Sequence, residues 1–188
     1  MLVDRTGNGH CIFGFRRDLR QLENLDVKIL PAGADDADAI IATWNPIIRD
    51  TTVTFNSIEK SARDVAALIT DRHAAGQAFL VARQGNNFLG FATYGNFRAG
   101  IGYAQTVEHT VMLADHAKGQ GVGRALLSAL ESHARTNDIH SMIASVAQEN
   151  TAAIAFHKAL GFTQVAHIPE AAHKFGRWLD VVFLQKIL

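Results

Sequence analysis

Seven consecutive residues, Lys118-Gly119-Gln120-Gly121-Val122-Gly123-Arg124, carry the plainest chemistry in the sequence. Three glycines within five positions let the backbone turn sharply and approach a ligand with no Cβ in the way. An amphipathic pattern begins at Val122 and repeats at Ala125, Leu126, Ala129 and Leu130, so the turn opens a helix whose first N–H groups point outward. That arrangement cradles an anion, and Lys118 and Arg124 flank it with positive charge. A phosphate loop of the G-x-x-x-x-G-K-[ST] kind is excluded, because no Lys-Ser or Lys-Thr follows. The dinucleotide fingerprint G-x-G-x-x-G fails too: the spacing is G-x-G-x-G, and Asp138 comes before the next strand rather than at its end. What remains is basic-x-x-G-x-G behind an apolar strand, with a glycine turn that binds nothing as the competing reading.

Other side chains could act beside such a cradle. Glu108 is the one carboxylate in the β-prone run Thr106–Leu113, and burial there would raise its pKa toward the range useful to a base. It reads equally as a glutamate on the solvent face of an edge strand. Arg98 lies in a glycine-bounded segment. Its planar guanidinium would match a carboxylate through two parallel hydrogen bonds, and the alternative is a solvated arginine. His157 sits on a helix that Asn150 opens as an N-cap. His133, His140, His167 and His173 lack the H-x-x-x-H spacing of a metal motif, so no metal is expected. Phe55, Phe175 and Trp178 could supply the apolar side of a pocket, or belong to the core.

The elements that must position these groups can be read from period and punctuation. A short strand at 27–30 ends at Pro31. A helix follows from about Asp35 with Ile40, Ile41 and Trp44 on one face, and Pro46 should kink or end it. Residues 51–55 form a β-prone patch in a connecting region, and a second helix spans about 61–75. Strands at 78–83 and 88–94 flank a hairpin turn at 84–87. The segment 95–102 is irregular, and the strand and helix around the glycine turn come next. A strand at 141–147, a helix from Asn150 to Leu160 stopped at Gly161-Phe162, and strands at 162–168 and 178–187 separated by a loop complete the chain. The order βαα-βββ-αβα-ββ describes an α/β (α+β) fold: a central mixed, mostly antiparallel twisted sheet flanked by helices.

Composition removes several function classes. With 48% hydrophobic and 19% charged residues, 188 residues suit one globular domain with a full core. We place that domain at 27–188 and treat 1–26, which has no sustained period, as an extension outside the fold. Lys plus Arg equals Asp plus Glu at 18 each, so no global field attracts nucleic acid or an anionic membrane, and neither is an expected partner. No apolar run reaches the ~20 residues needed to cross a bilayer. The lone Cys11 cannot form an intrachain disulfide, which suits a cytoplasmic setting.

Four segments in order, GNFRAGIGYAQTVEHTVML, KGQGVGRALL, NTAAIAFHKALGF and HKFGRWLDVVFLQ, resemble the phosphinothricin and methionine-sulfoximine acetyltransferase branch of the GNAT N-acetyltransferase family. The resemblance covers about 27–188. It implies a GNAT fold and an acetyl-CoA-dependent enzyme that acetylates the α-amino group of a small amino acid such as methionine sulfoximine, methionine sulfone or phosphinothricin. By the same resemblance, the backbone of Val111, Met112 and Leu113 holds the pantetheine arm. Lys118, Gly119, Gln120, Gly121, Val122, Gly123 and Arg124 hold the pyrophosphate, and Asn150 contacts the coenzyme near the thioester. Glu108 takes the general-base role and His157 the general-acid role. Arg98 holds the substrate carboxylate, with Ala99, Gly100, His109 and Thr110 beside it. A homodimer is implied as well. Many relatives carry an aromatic residue where Met112 stands, and some carry a basic residue where Gly100 stands. Two alternatives remain: acetylation of another small amine or a peptide N-terminus, and a non-catalytic acyl-CoA sensor.

Overall fold

The computed structural model describes residues 26–188. The expected extension, apart from Asp26, and Cys11 lie outside the described residues. Seven strands form one sheet in the order β1-β2-β3-β4-β5-β7-β6. They are β1 (Val27–Pro31), β2 (Phe79–Gln84), β3 (Asn87–Asn96), β4 (Thr106–Leu113), β5 (Ser141–Ala147), β6 (Thr163–Lys174) and β7 (Arg177–Ile187). All neighbours are antiparallel except β4 and β5, which run parallel and join the two halves of the sheet.

Helices cover both faces. On one side pack α1 (Ala37–Asp50) and α2 (Ala62–Ala74), burying Ile40, Trp44, Ile48, Val65 and Ile69 against Phe79, Val81 and Phe91. On the other pack α3 (Val122–Thr136) and α4 (Thr151–Ala159), where Leu126, Leu127 and Leu130 meet Ala82, Ala92 and Val107. Alternation along β4 sends Val107 and Val111 to the second face and Met112 to the first. Ser61 caps α2, its Oγ accepting from the Asp64 N–H at 3.1 Å while the Asp64 carboxylate accepts from the Ser61 N–H at 3.0 Å.

One local expectation is narrowed and one is corrected. Of the two outcomes expected at Pro46, an end to the helix is excluded: α1 continues to Asp50. A proline inside a helix costs about 3 kcal/mol, but Trp44 and Ile48, buried on either side of it, are each worth about 1.5–3 kcal/mol or more, so packing of the stripe prevails. The loop expected between 168 and 178 is instead the end of a long hairpin. β6 and β7 pair as far as Lys174 and Arg177 across Phe175 (φ 53°) and Gly176 (φ 73°), a two-residue turn with positive φ at both positions. Pro169 misled the reading because it lies on an edge strand at a register shift, where a missing N–H breaks no ladder bond. Among the described residues no helix is long and apolar enough to cross a membrane.

Leu126 is fully buried between α3 and the sheet, whereas Ile101 is 95% exposed. Leu126→Ala should lower unfolding free energy in urea by about 2–5 kcal/mol, and Ile101→Ala should stay within about 0.5 kcal/mol.

Candidate active site

The parallel ladder between β4 and β5 is short. It registers Thr106 with Ser141, Val107 with Met142 and Glu108 with Ile143, and among the described residues pairs nothing beyond. Past that point β4 stays with β3 as far as Leu113, and β5 stays with β7 as far as Ala147. The two strands therefore part, and the sheet opens at its centre. The resulting cleft, about 190 Å³, is walled by residues 108–112 of β4, Ala144, Ser145 and Val146 of β5, and Asn150, Ala153 and His157 around α4. Trp44 and the loop residues Val53, Thr54 and Phe55 close the α1 side.

Glu108, the last ladder residue of β4, and His109, the first beyond it, project to opposite faces at the mouth of the split. Glu108 is half-buried and lines the cleft. His109 is buried, and its Nδ1 lies 2.9 Å from the Ile143 carbonyl oxygen on the departing strand. Its Nε2 faces the Nε2 of His157 at 3.0 Å, and His157 Nδ1 lies 2.7 Å from the Ala153 carbonyl oxygen one helical turn back. The rings of Phe156 and Phe162 stand 5.2–5.4 Å from these imidazoles and fix their tilt. Burial pushes the pKa of both rings down. At His109 the adjacent His157 ring adds to the fall, to about 3, while the Ile143 carbonyl opposes it. Burial therefore disfavours positive charge on this pair.

The glycine turn lies where α3 begins. Gly119 (φ 76°) and Gly121 (φ 81°, the N-cap) take the left-handed conformation that side chains resist, and open space covers both. Val122 and Gly123 hold the first N–H groups of a fifteen-residue helix, which have no intrahelical partner. The cradle therefore fits a phosphate group. Gly123 has a second duty: it is buried, and a Cβ there would press on Leu113 and the Phe156 ring, so its bareness lets α3 sit close to β4 and α4. Lys118 is tied to Asp115 at 2.6 Å. That pair is exposed and screened by solvent, so a phosphate can displace Asp115. Asn150 caps α4, its carboxamide oxygen accepting from the Ala153 N–H at 3.1 Å.

The structure thus gathers Glu108, His109, Thr110, Val111, Met112, Asn150 and His157 around one cleft. Arg98, Ala99 and Gly100 are exposed and outside its lining, with the Arg98 guanidinium 5.2 Å from the Phe97 ring. Of the aromatics, Phe55 lines the cleft. Phe175 and Trp178 are exposed on the β6–β7 hairpin, and Trp178 borders a separate depression with Glu149 and Arg177.

Several contributors were invisible in sequence. The Trp44 ring lines the cleft, and its Nε1 is buried with no hydrogen-bond partner among the described residues. Lys174 is buried on β6, and its ammonium donates to the carbonyls of Ile48 (2.7 Å), Thr51 (2.6 Å) and Thr54 (2.8 Å). It pins the end of α1 and the loop bearing Val53–Phe55, although burial lowers its pKa. Arg177 grips Glu149 through both guanidinium nitrogens (2.9 and 2.8 Å), and Glu149 accepts from Thr52. A pairing partner 97 to 126 residues away leaves no local signal in a sequence.

The acetyltransferase (GNAT) domain family matches over residues 31–183. The L-methionine sulfoximine/L-methionine sulfone acetyltransferase of Pseudomonas aeruginosa is 36% identical over 162 residues, 86% of this chain and 94% of that protein. The phosphinothricin N-acetyltransferase of Alcaligenes faecalis is 34% identical over 155 residues, 82% of this chain and 79% of that protein. Among solved structures, yncA of Salmonella typhimurium with its cofactor acetyl-CoA has a TM-score of 0.83 at 34% identity, covering 86% of this chain and 94% of that one.

Replacing Lys174 with Met keeps the bulk of the side chain and strands three carbonyls. Urea unfolding should show a loss of about 2–4 kcal/mol, with faster amide exchange across 51–55. A loss below about 0.5 kcal/mol would contradict the pinning role.

Proposed function

The chain belongs to the acetyltransferase (GNAT) family, and from that premise we propose that it transfers acetyl from acetyl-CoA to the α-amino group of a small amino acid with an oxygen-bearing side chain. Methionine sulfoximine, methionine sulfone and phosphinothricin are the acceptors of choice, in keeping with the names of its relatives. The observation that carries this reading is the split between β4 and β5, which sets Glu108 and His157 around one cleft, with the α3 anion cradle in the segment that follows β4.

In this reading the coenzyme supplies an acetyl thioester activated toward amines. Gly119 to Arg124 hold its pyrophosphate, Lys118 turning from Asp115 to assist. The edge of Val111–Leu113 that β5 leaves unpaired bonds the pantetheine amides. An amino acid's amine, with a pKa of roughly 8, is mostly protonated at neutral pH, so a base must take its proton. Glu108, half-buried beside apolar strand residues, takes that role. A strand N–H of Val111 or Met112 stabilises the oxyanion formed on attack, and His157 returns a proton to the departing sulfur. Arg98 is the candidate partner for the acceptor's carboxylate, a role that requires its exposed segment to fold toward the cleft. A homodimer and a cytoplasmic setting belong to the same reading. The twelve-residue edge strand β6 with Val165 and Ile168 exposed, and Trp178 beside it, supports self-association.

Purified protein given acetyl-CoA and these acceptors should release free thiol, and no turnover with any of them would remove the substrate assignment. Glu108→Gln should lower kcat by about 10²–10⁴-fold with acetyl-CoA binding retained, which separates an enzyme from an acyl-CoA sensor. Gly121→Val forces a β-branched residue into positive φ and should raise the Kd for acetyl-CoA about tenfold or more.

A further inference from the structure

The buried histidine pair makes three short polar contacts, and each one needs a proton. His109 Nδ1 meets the Ile143 carbonyl oxygen at 2.9 Å, His157 Nδ1 meets the Ala153 carbonyl oxygen at 2.7 Å, and the two Nε2 atoms meet at 3.0 Å. A carbonyl oxygen only accepts, so each Nδ1 must carry hydrogen. Neutral imidazoles bear one N–H apiece, which leaves two bare lone pairs facing each other across the Nε2 contact. Moving either proton from Nδ1 to Nε2 mends that contact and sets a lone pair against a carbonyl instead. All three contacts are satisfied together only if the pair holds one proton more than two neutral rings.

We propose that His109 and His157 form a dyad that shares one extra proton between their Nε2 atoms at neutral pH, with His109 the positioning residue that stores it for the departing thiolate. Several neighbours favour a single positive charge against the burial that opposes it. His157 stands in the last turn of α4, where the carbonyl end of the helix favours a cation. Both Nδ1–H groups donate to carbonyl oxygens, which steadies charge spread over the two rings. Glu108, the one carboxylate of β4, lines the same cleft. The opposing cations are screened: Lys158 is exposed on α4, and Lys186 of β7, 5.7 Å from the Phe162 ring, is held by Glu131 of α3 at 2.7 Å. Burial lowers the pKa of both rings and opposes even one charge, the two carbonyl contacts oppose that fall, and the 3.0 Å Nε2–Nε2 contact is what the single shared proton satisfies.

The inference rests on the proposed acetyl transfer, and its proton balance closes there. Glu108 first passes the ammonium proton to solvent; the amine nitrogen then bonds to the acetyl carbon, the C–S bond breaks with its electron pair on sulfur, and the nitrogen's second surplus proton goes to Glu108. The dyad's shared proton goes to the sulfur, giving the free thiol. Two lone pairs then face each other at the Nε2 contact, and the dyad recovers a proton from Glu108 through solvent. Coenzyme and amide leave with the enzyme restored.

NMR of the coenzyme-free protein labelled with 15N-histidine reads the proton directly, whatever the activity. The expected spectrum at neutral pH has both Nδ1 atoms protonated and one further, strongly downfield proton coupled to the facing Nε2 atoms, absent in His109→Phe. A bare Nδ1 on either ring would overturn the proposal, and acetyl transfer in that same sample would leave the proposed function standing. In His109→Phe, His157 keeps its burial and loses its partner. The alkaline limb of kcat should then move down by about one pH unit or more, with the KM for acetyl-CoA within about twofold. A fall in kcat with that limb unmoved would reduce His109 to a packing residue and equally overturn the proposal. If the variant fails to fold, the wild-type spectrum decides alone.

Discussion

The site depends on two parallel strands that pair for three residues and then separate. Every backbone amide and carbonyl in a sheet interior needs a partner, so a split sheet is costly unless something fills the gap. Near its apex the His109 ring does so, taking the Ile143 carbonyl that begins the divergence. Farther along, the opened edges of β4 and β5 are held apart by their outer neighbours, β3 and β7, which continue the ladder on each side. The gap is therefore a fixed feature of the fold, and an extended amide-bearing ligand is the natural occupant of its edges.

The remaining architecture serves that opening. α3 follows β4 through the glycine turn, which places an anion cradle at the start of a long helix packed on β4. Gly123 lets the helix approach closely enough for both tasks. α4 follows β5 and carries His157 back over the split to meet His109. The acceptor side is closed by long-range pins: Lys174 on three carbonyls and Arg177 on Glu149. The pins differ in weight. Lys174 is buried and charge-assisted, whereas the Arg177–Glu149 pair is about half-exposed and screened by solvent.

The order of elements, the start of α3 at Val122 and the Asn150 cap were legible because period, glycine and cap residues act within a few positions. The loop expected after 168 failed because edge strands tolerate proline and a two-residue turn needs only Phe175-Gly176. Pro46 was overruled by the burial of Trp44 and Ile48, a tertiary effect. Glu108 and His157 were legible as candidates through resemblance. The facing of His109 and His157, 48 positions apart, was not, since neither a period nor a motif encodes which two rings a split sheet will bring together.

Soaking or co-crystallising the protein with acetyl-CoA measures the central claim most directly. The structure should show the pantetheine arm bonded to the β4 edge between Val111 and Leu113, the pyrophosphate against Gly119–Arg124, and the sulfur in the gap between Glu108 and the His109–His157 pair. A coenzyme bound elsewhere, or a β4–β5 ladder that closes beyond Glu108 and Ile143, would contradict it.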